Sequence, residues 1–143
     1  MTFSSRHAIL LRWTLPAAAT CALLAGDVAF AKPPQLGKDY FGTYQFDDLT
    51  SSGAFTVELG KQSGKEFSRI DIEATNFAQF EGDGHLAQKN TVLIVKTQGY
   101  GGGGAPRMNL RATLLNGGTQ LDGTFKLKRK NLPVRTGTFT VSR

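Results

Sequence analysis

Cysteine, tryptophan and histidine are nearly missing from this chain, whose 143 residues contain one Cys, one Trp and two His. Three of these four lie in the first twenty-one positions, as His7, Trp13 and Cys21. That stretch reads as an export signal. Arg6, His7 and Arg12 make a basic start, Trp13 to Leu24 is mostly apolar, and Ala29-Phe30-Ala31 puts small residues at −3 and −1 of a cleavage site before Lys32. The apolar stretch is shorter than the roughly 20 residues of a membrane span and is interrupted by Pro16. Ala18 and Thr20 stand where a lipoprotein signal would place Leu and a small residue ahead of Cys21, so no lipid anchor is expected. Without a twin arginine, the general export route is the expectation, with a periplasmic or extracellular destination.

Removing residues 1–31 leaves 112 residues with no Cys, no Trp and a single His, His85. The absence of cysteine excludes disulfide-scaffold toxins and inhibitors and excludes a thiol nucleophile. One imidazole cannot build an ordinary zinc site, and a Ser-His-acid arrangement would depend on His85 alone. His85 falls on the polar side of its segment beside Glu81 and Asp83 and reads as a solvated surface residue. The carboxylate pairs Asp71/Glu73 and Glu81/Asp83 share a strand face, but glycoside hydrolysis needs a groove and a raised pKa. No catalytic residue, cofactor or metal is therefore assigned, and no enzymatic role is expected. A chain 40% hydrophobic and 20% charged is nonetheless ordinary globular material, not a disordered tail.

What the chain has in quantity is alternation punctuated by turns. The spacing predicts strands near Tyr40–Asp47, Ala54–Gly60, Phe67–Ala74, Ala78–Ala87, Thr91–Gln98, Arg107–Leu115, Gln120–Lys130 and Val134–Ser142. Most show one apolar and one polar face, as in Phe55/Val57/Leu59 against Thr56/Glu58, whereas Val92 to Val95 is apolar on both sides. Lys61 to Lys65 and Gln88-Lys89-Asn90 read as turns, and Asn116-Gly117 carries a type I′ hairpin signal. No linker holds a crossover helix, so neighbours should pair antiparallel. The predicted organisation is a signal at 1–31, an extended segment at 32–38 and one all-β domain at 39–143. That domain is expected to be an eight-stranded up-and-down meander closed into a small barrel, with a β-sandwich as the alternative.

Four segments share one phrase: Gly42-Thr43-Tyr44, Gly53-Ala54-Phe55, Gly123-Thr124-Phe125 and Gly137-Thr138-Phe139. A glycine lets the inward face bend, and an aromatic two residues on points the same way and covers the gap. On an exported chain of eight short strands this pattern resembles the calycin-like barrels, which include lipocalins, avidins and bacterial metalloprotease-inhibitor barrels. Gly42-Thr43-Tyr44 stands where those families often carry Gly-x-Trp. The resemblance implies a binding barrel without a transferable site, since the mature chain has neither the tryptophans of a biotin pocket nor a disulfide.

Two sets of candidate binding residues follow. Tyr44, Phe55, Phe80, Phe125 and Phe139 should face the interior, as packing or as the lining of a small apolar ligand site. The second set comes from charge. Between Pro106 and Arg143 eight basic residues meet Asp122 alone, a balance of +7, whereas Lys32 to Ala105 carries −2. Arg107, Arg111, Lys126, Lys128 and Lys130 are expected to form a basic face for an anionic surface or partner protein. Tyr100, in the run Gly99 to Pro106, is the one large side chain of a glycine-rich contact loop. Nucleic acid is disfavoured, because Thr and Asn interrupt the basic residues and no aromatic platform accompanies them.

The expected function is an exported, non-catalytic binding protein. One alternative is a secreted enzyme inhibitor using Lys32 to Gly37 as a plug. The other is a small outer-membrane barrel, against which stand the missing aromatic girdles and the terminal Arg143. An integral membrane protein is not expected, and the sequence leaves the oligomeric state open.

Overall fold

The computed structural model describes residues 32–77, 79–100 and 103–143. The leader expected at 1–31, the expected strand start at Ala78, and Gly101 and Gly102 of the glycine-rich run lie outside the described residues.

Eight strands form where alternation predicts them: β1 (Asp39–Phe46), β2 (Ser52–Ser63), β3 (Glu66–Ala74), β4 (Phe80–Ala87), β5 (Val92–Gly99), β6 (Arg107–Leu115), β7 (Gln120–Lys128) and β8 (Arg135–Ser142). Each pairs antiparallel with the next, and β8 returns to β1, with Tyr44 opposite Phe139. That last pairing closes the sheet into a barrel, which rules out the sandwich and leaves no free edge. Among the described residues no helix is long and apolar enough to cross a membrane.

Alternation decides what lies inside. Tyr40, Tyr44 and Phe46 of β1, Phe55, Val57 and Leu59 of β2, and Phe125, Leu127, Phe139 and Val141 of β7 and β8 are all buried in one cluster. Burying a side chain of this size contributes about 1.5–3 kcal/mol, so a core of such residues can hold a small domain without a disulfide. Thr97 is the buried polar side chain of β5, and its Oγ1 donates to the Met108 carbonyl at 2.8 Å.

Register shows what the repeated glycine phrase accomplishes. Gly42 faces Phe55 and Gly53 faces Tyr44 across β1–β2. Gly123 faces Phe139 and Gly137 faces Phe125 across β7–β8. Phe67 likewise faces Gly84, and Phe80 faces Gly99. Each ring thus stands opposite a position with no side chain of its own, an arrangement known to stabilise sharply coiled strands. At Gly42 and Gly123 a Cβ would run into the carbonyl oxygens of Thr140 and Arg111 on the adjoining strand. Those two positions are reserved for glycine by close approach of backbone.

Three details depart from the sequence reading. Lys61 to Lys65 is not a turn throughout: β2 continues to Ser63, which pairs with Glu66 around a tight connection whose Gly64 has φ 60°. Polar composition concealed strand because this end of the β2–β3 hairpin projects past the core. Phe67 and Ile70, three residues apart, are both buried, which strict alternation forbids. A register shift between them, with Arg69 at φ 60°, absorbs the extra residue and leaves Ser68 and Arg69 both exposed. Gly60 makes room for this bulge, since a Cβ there would strike the carbonyls of Ser68 and Arg69. At the β6–β7 hairpin, Asn116 and Gly117 both adopt positive φ, as the type I′ signal requires, but Gly118 does too, and the link runs to Thr119.

The meander sorts the connections onto two ends. The base carries the β2–β3, β4–β5 and β6–β7 links and the segment from Lys32 to Lys38. The rim carries the β1–β2, β3–β4, β5–β6 and β7–β8 loops.

Candidate functional site

The five interior candidates occupy one packed centre. Tyr44, Phe55, Phe80, Phe125 and Phe139 are each no more than 3% exposed. Phe55 contacts Phe139 with ring centroids 5.0 Å apart and Phe125 at 6.3 Å, while Tyr44 lies 5.9 Å from Phe55 and 6.1 Å from Phe125. These spacings are those of rings packed on one another. Tyr44 spends its hydroxyl on the Thr75 carbonyl at 2.6 Å, which ties β1 to the β3–β4 loop.

Toward the rim the stack ends on Phe46 and Phe77, 5.1 Å apart. Two cations lie over them: the Arg135 guanidinium is 3.6 Å from the Phe46 centroid, and that of Arg129 is 5.4 Å from the Phe77 centroid. Neither arginine was among the candidate residues, because their positions over the rings follow from the curvature of the barrel. Arg135 also bonds Thr50 Oγ1 and reaches Asp48 at 3.5 Å, joining the β7–β8 loop to the β1–β2 loop. The hydroxyl and amide of Thr50 hold the Asp48 carboxyl below its ordinary value, and Arg135 adds to the effect.

The basic residues come together on the outer face of β5, β6 and β7. Arg107 is opposite Lys128, and Asn109 links Lys96 of β5 to Lys126 of β7 in the next outward row. Arg111 lies one row further toward the base, between Ile94 and Thr124. All five cationic side chains are exposed. Like charges directly opposite on adjacent strands repel, so the Arg107–Lys128 pair is a cost that a bound anion would relieve. Among the described residues, ion pairs join Lys38 to Glu58, Arg69 to Asp71 and Arg135 to Asp48, and none involves these five cations. At the rim end of this face a hollow of about 190 Å³ is lined by Arg107, Lys128, Arg129 and Lys130 together with Gln98, Gly104 and Ala105. The outer face of β8 carries Thr136, Thr138 and Thr140 instead, so the charge of the C-terminal third is confined to a narrower band than the sequence count implies.

Tyr100 does not join this face. Its hydroxyl donates to Glu81 Oε2 at 2.7 Å, and it borders a hollow on the acidic side with Glu58, Arg69, Asp71 and Glu73. The bond to Glu81 raises the phenol above its ordinary pKa. The basic strands and the loop tyrosine therefore belong to opposite flanks of the β5–β6 loop. His85 is half-buried on the outer face of β4, opposite Glu66 and Ile94. Asp83 Oδ1 accepts from the Arg69 amide at 3.3 Å, and Asp71 pairs with the Arg69 guanidinium.

Lys32 to Gly37 is tied to the base. The Leu36 amide donates to Gln62 Oε1 at 3.1 Å, Gln62 Nε2 donates to the Pro34 carbonyl at 2.7 Å, and Leu36 packs against the core. Comparison with known proteins gives no match to a protein-family model, a curated protein or a solved structure.

Proposed function

We propose that the protein is an exported, non-catalytic binding barrel of the calycin-like type that holds an anionic macromolecular partner against the outer face of β5–β7. The observation that carries this reading is the cluster of exposed cations in which Arg107 faces Lys128 while Lys96 and Lys126 flank Asn109 in the next row. Asp83 of β4 stands opposite Lys96, but among the described residues no carboxylate is in ion-pair contact with the four. Such a field draws in anions and costs self-repulsion while it is empty. The packed interior supports a surface site over an internal one, because the candidate rings contact each other instead of framing a hollow. Outward charges on β2 to β7 also oppose the apolar lipid-facing band of a membrane-spanning barrel. A plug at Lys32 to Gly37 would first have to detach from Gln62 and Tyr40. The calycin-like assignment draws on the up-and-down closure and the glycine–aromatic pairs.

Immobilised heparin is the probe. The protein should be retained at low salt and released as salt screens the contact, and Lys126→Glu with Lys128→Glu should weaken retention about tenfold or more. Retention that is absent at low salt, or unchanged by the double reversal, refutes the proposal.

A further inference from the structure

Five large hydrophobic side chains are strongly exposed among the described residues: Phe41, Leu49, Tyr100, Leu132 and Val134. Four of them sit on loops of the same end of the barrel. Leu49 is in the β1–β2 loop, Tyr100 opens the β5–β6 loop, and Leu132 and Val134 flank Pro133 in the β7–β8 loop. The base loops contribute none. Scattered single apolar residues are ordinary on a protein surface, but this segregation to one end is not.

The basic residues crowd toward the same end. Arg107 begins β6, Lys128 ends β7, and Arg129, Lys130 and Arg135 bracket the sequence Asn131-Leu132-Pro133-Val134. Near Leu49, Asp48 is engaged by Thr50 and Arg135 and Asp47 accepts from Thr136. The cations of this end outside the ion pairs of the described residues are thus Arg107, Lys128, Arg129 and Lys130, on the neighbouring β5–β6 and β7–β8 side. Leu49 adds an independent oddity. It is 73% exposed and adopts φ 59°, a left-handed backbone in which glycine or asparagine would sit with less strain. A leucine there helps neither the core nor the turn, which singles out its side chain as the useful part.

We infer that the rim is a docking surface for an anionic lipid bilayer, with Leu49, Leu132 and Val134 entering the interface while Arg107, Lys128, Arg129 and Lys130 meet the headgroups. The inference rests on the anionic-partner reading above and names that partner's chemistry. A soluble polyanion offers nothing to exposed leucines, whereas a lipid surface supplies negative charge and an apolar layer within a few ångströms of each other. Anchoring of this kind takes two signals, and the rim carries both.

The test measures co-sedimentation of the purified protein with phosphatidylcholine vesicles, with and without phosphatidylglycerol, alongside heparin retention. The parent should bind only the anionic vesicles. Leu132→Ser with Val134→Ser keeps the charge and alters exposed positions only, so folding should be retained. That variant should lose vesicle binding by about tenfold or more and keep heparin retention. Lys128→Glu with Lys130→Glu should lose both. Vesicle binding that survives the serine changes overturns the inference, as does heparin retention by a parent that ignores anionic vesicles, which would point to a soluble acidic partner. Loss of both activities in the parent would instead refute the underlying anionic-partner reading.

Discussion

The two ends of the barrel are finished by opposite means. At the base, Tyr40 is fully buried, accepts from the Gly37 amide at 3.1 Å and donates to the Gly118 carbonyl at 2.6 Å. One phenol thereby fastens the N-terminal segment and the β6–β7 hairpin together over the core. At the rim one buried phenol, Tyr44, likewise holds the β3–β4 loop through the Thr75 carbonyl. The β1–β2 and β7–β8 loops, however, lie where rings carry arginines above them and are joined by exposed polar bonds around Thr50, Asp48 and Arg135. Buried bonds that would be orphaned by loss of a partner hold tightly; exposed ones compete with water and are worth little. The base is built for stability, and the rim keeps its apolar and cationic side chains available for contact.

The largest test of that contrast is Tyr40→Phe. It removes one hydroxyl and leaves the Gly118 carbonyl and the Gly37 amide without their partner, so a loss of about 1–3 kcal/mol is expected in urea denaturation. The matched rim change, Arg135→Met, keeps much of the stem over Phe46 and should cost about 1 kcal/mol or less. Equal losses would erase the distinction between a structural base and a contact rim.

Acid and alkali should separate the ends with opposite sign. Asp48 has a folded pKa below its ordinary 3.8, so the rim tie it makes is present above that value and is lost as pH falls through the lower folded one. Tyr40 is shifted the other way, since burial raises it above its ordinary 10.0, against smaller opposing effects of Gly37 and Arg143. Its contribution is complete below that ordinary value and is lost as pH rises through the folded one. Hydrogen exchange at fixed pH, comparing the β1–β2 and β7–β8 loops with the β6–β7 hairpin, should find the rim opening first in acid. Alkaline exposure should open the base first, and the same end leading in both conditions would contradict the assignment.

How far the sequence reveals this division follows from what each feature requires. Strand identity needs only local alternation, and residues such as Phe55, Val57 and Leu59 declare their face without knowledge of a neighbour. The glycine phrase was legible as a repeat, but its meaning was not. That Gly42 faces Phe55 while Gly53 faces Tyr44 depends on register across β1–β2, which no single strand encodes. The bulge at Ser68-Arg69 was hidden for a similar reason, being set by room beside Gly60. The basic band was legible as a charge count, yet the separation of Tyr100 from Arg107 required the course of the β5–β6 loop. The apolar rim was not legible because Leu49 and Leu132 are more than eighty residues apart in sequence, and their loops come together only when β8 closes on β1.

Leu49 offers the smallest effect and the one that joins the two halves of the comparison. A residue with a branched side chain at positive φ pays for its place, and asparagine tolerates that backbone better. Leu49→Asn should therefore raise the stability of the barrel slightly, by about 0.5 kcal/mol, in contrast to any change at the base. The same substitution removes an exposed apolar tip and should weaken binding to phosphatidylglycerol vesicles severalfold. Gain in one measurement with loss in the other is the pattern expected of a residue retained for contact at some cost to folding. Were both to fall together, Leu49 would be supporting the loop, and the rim would resemble the base after all.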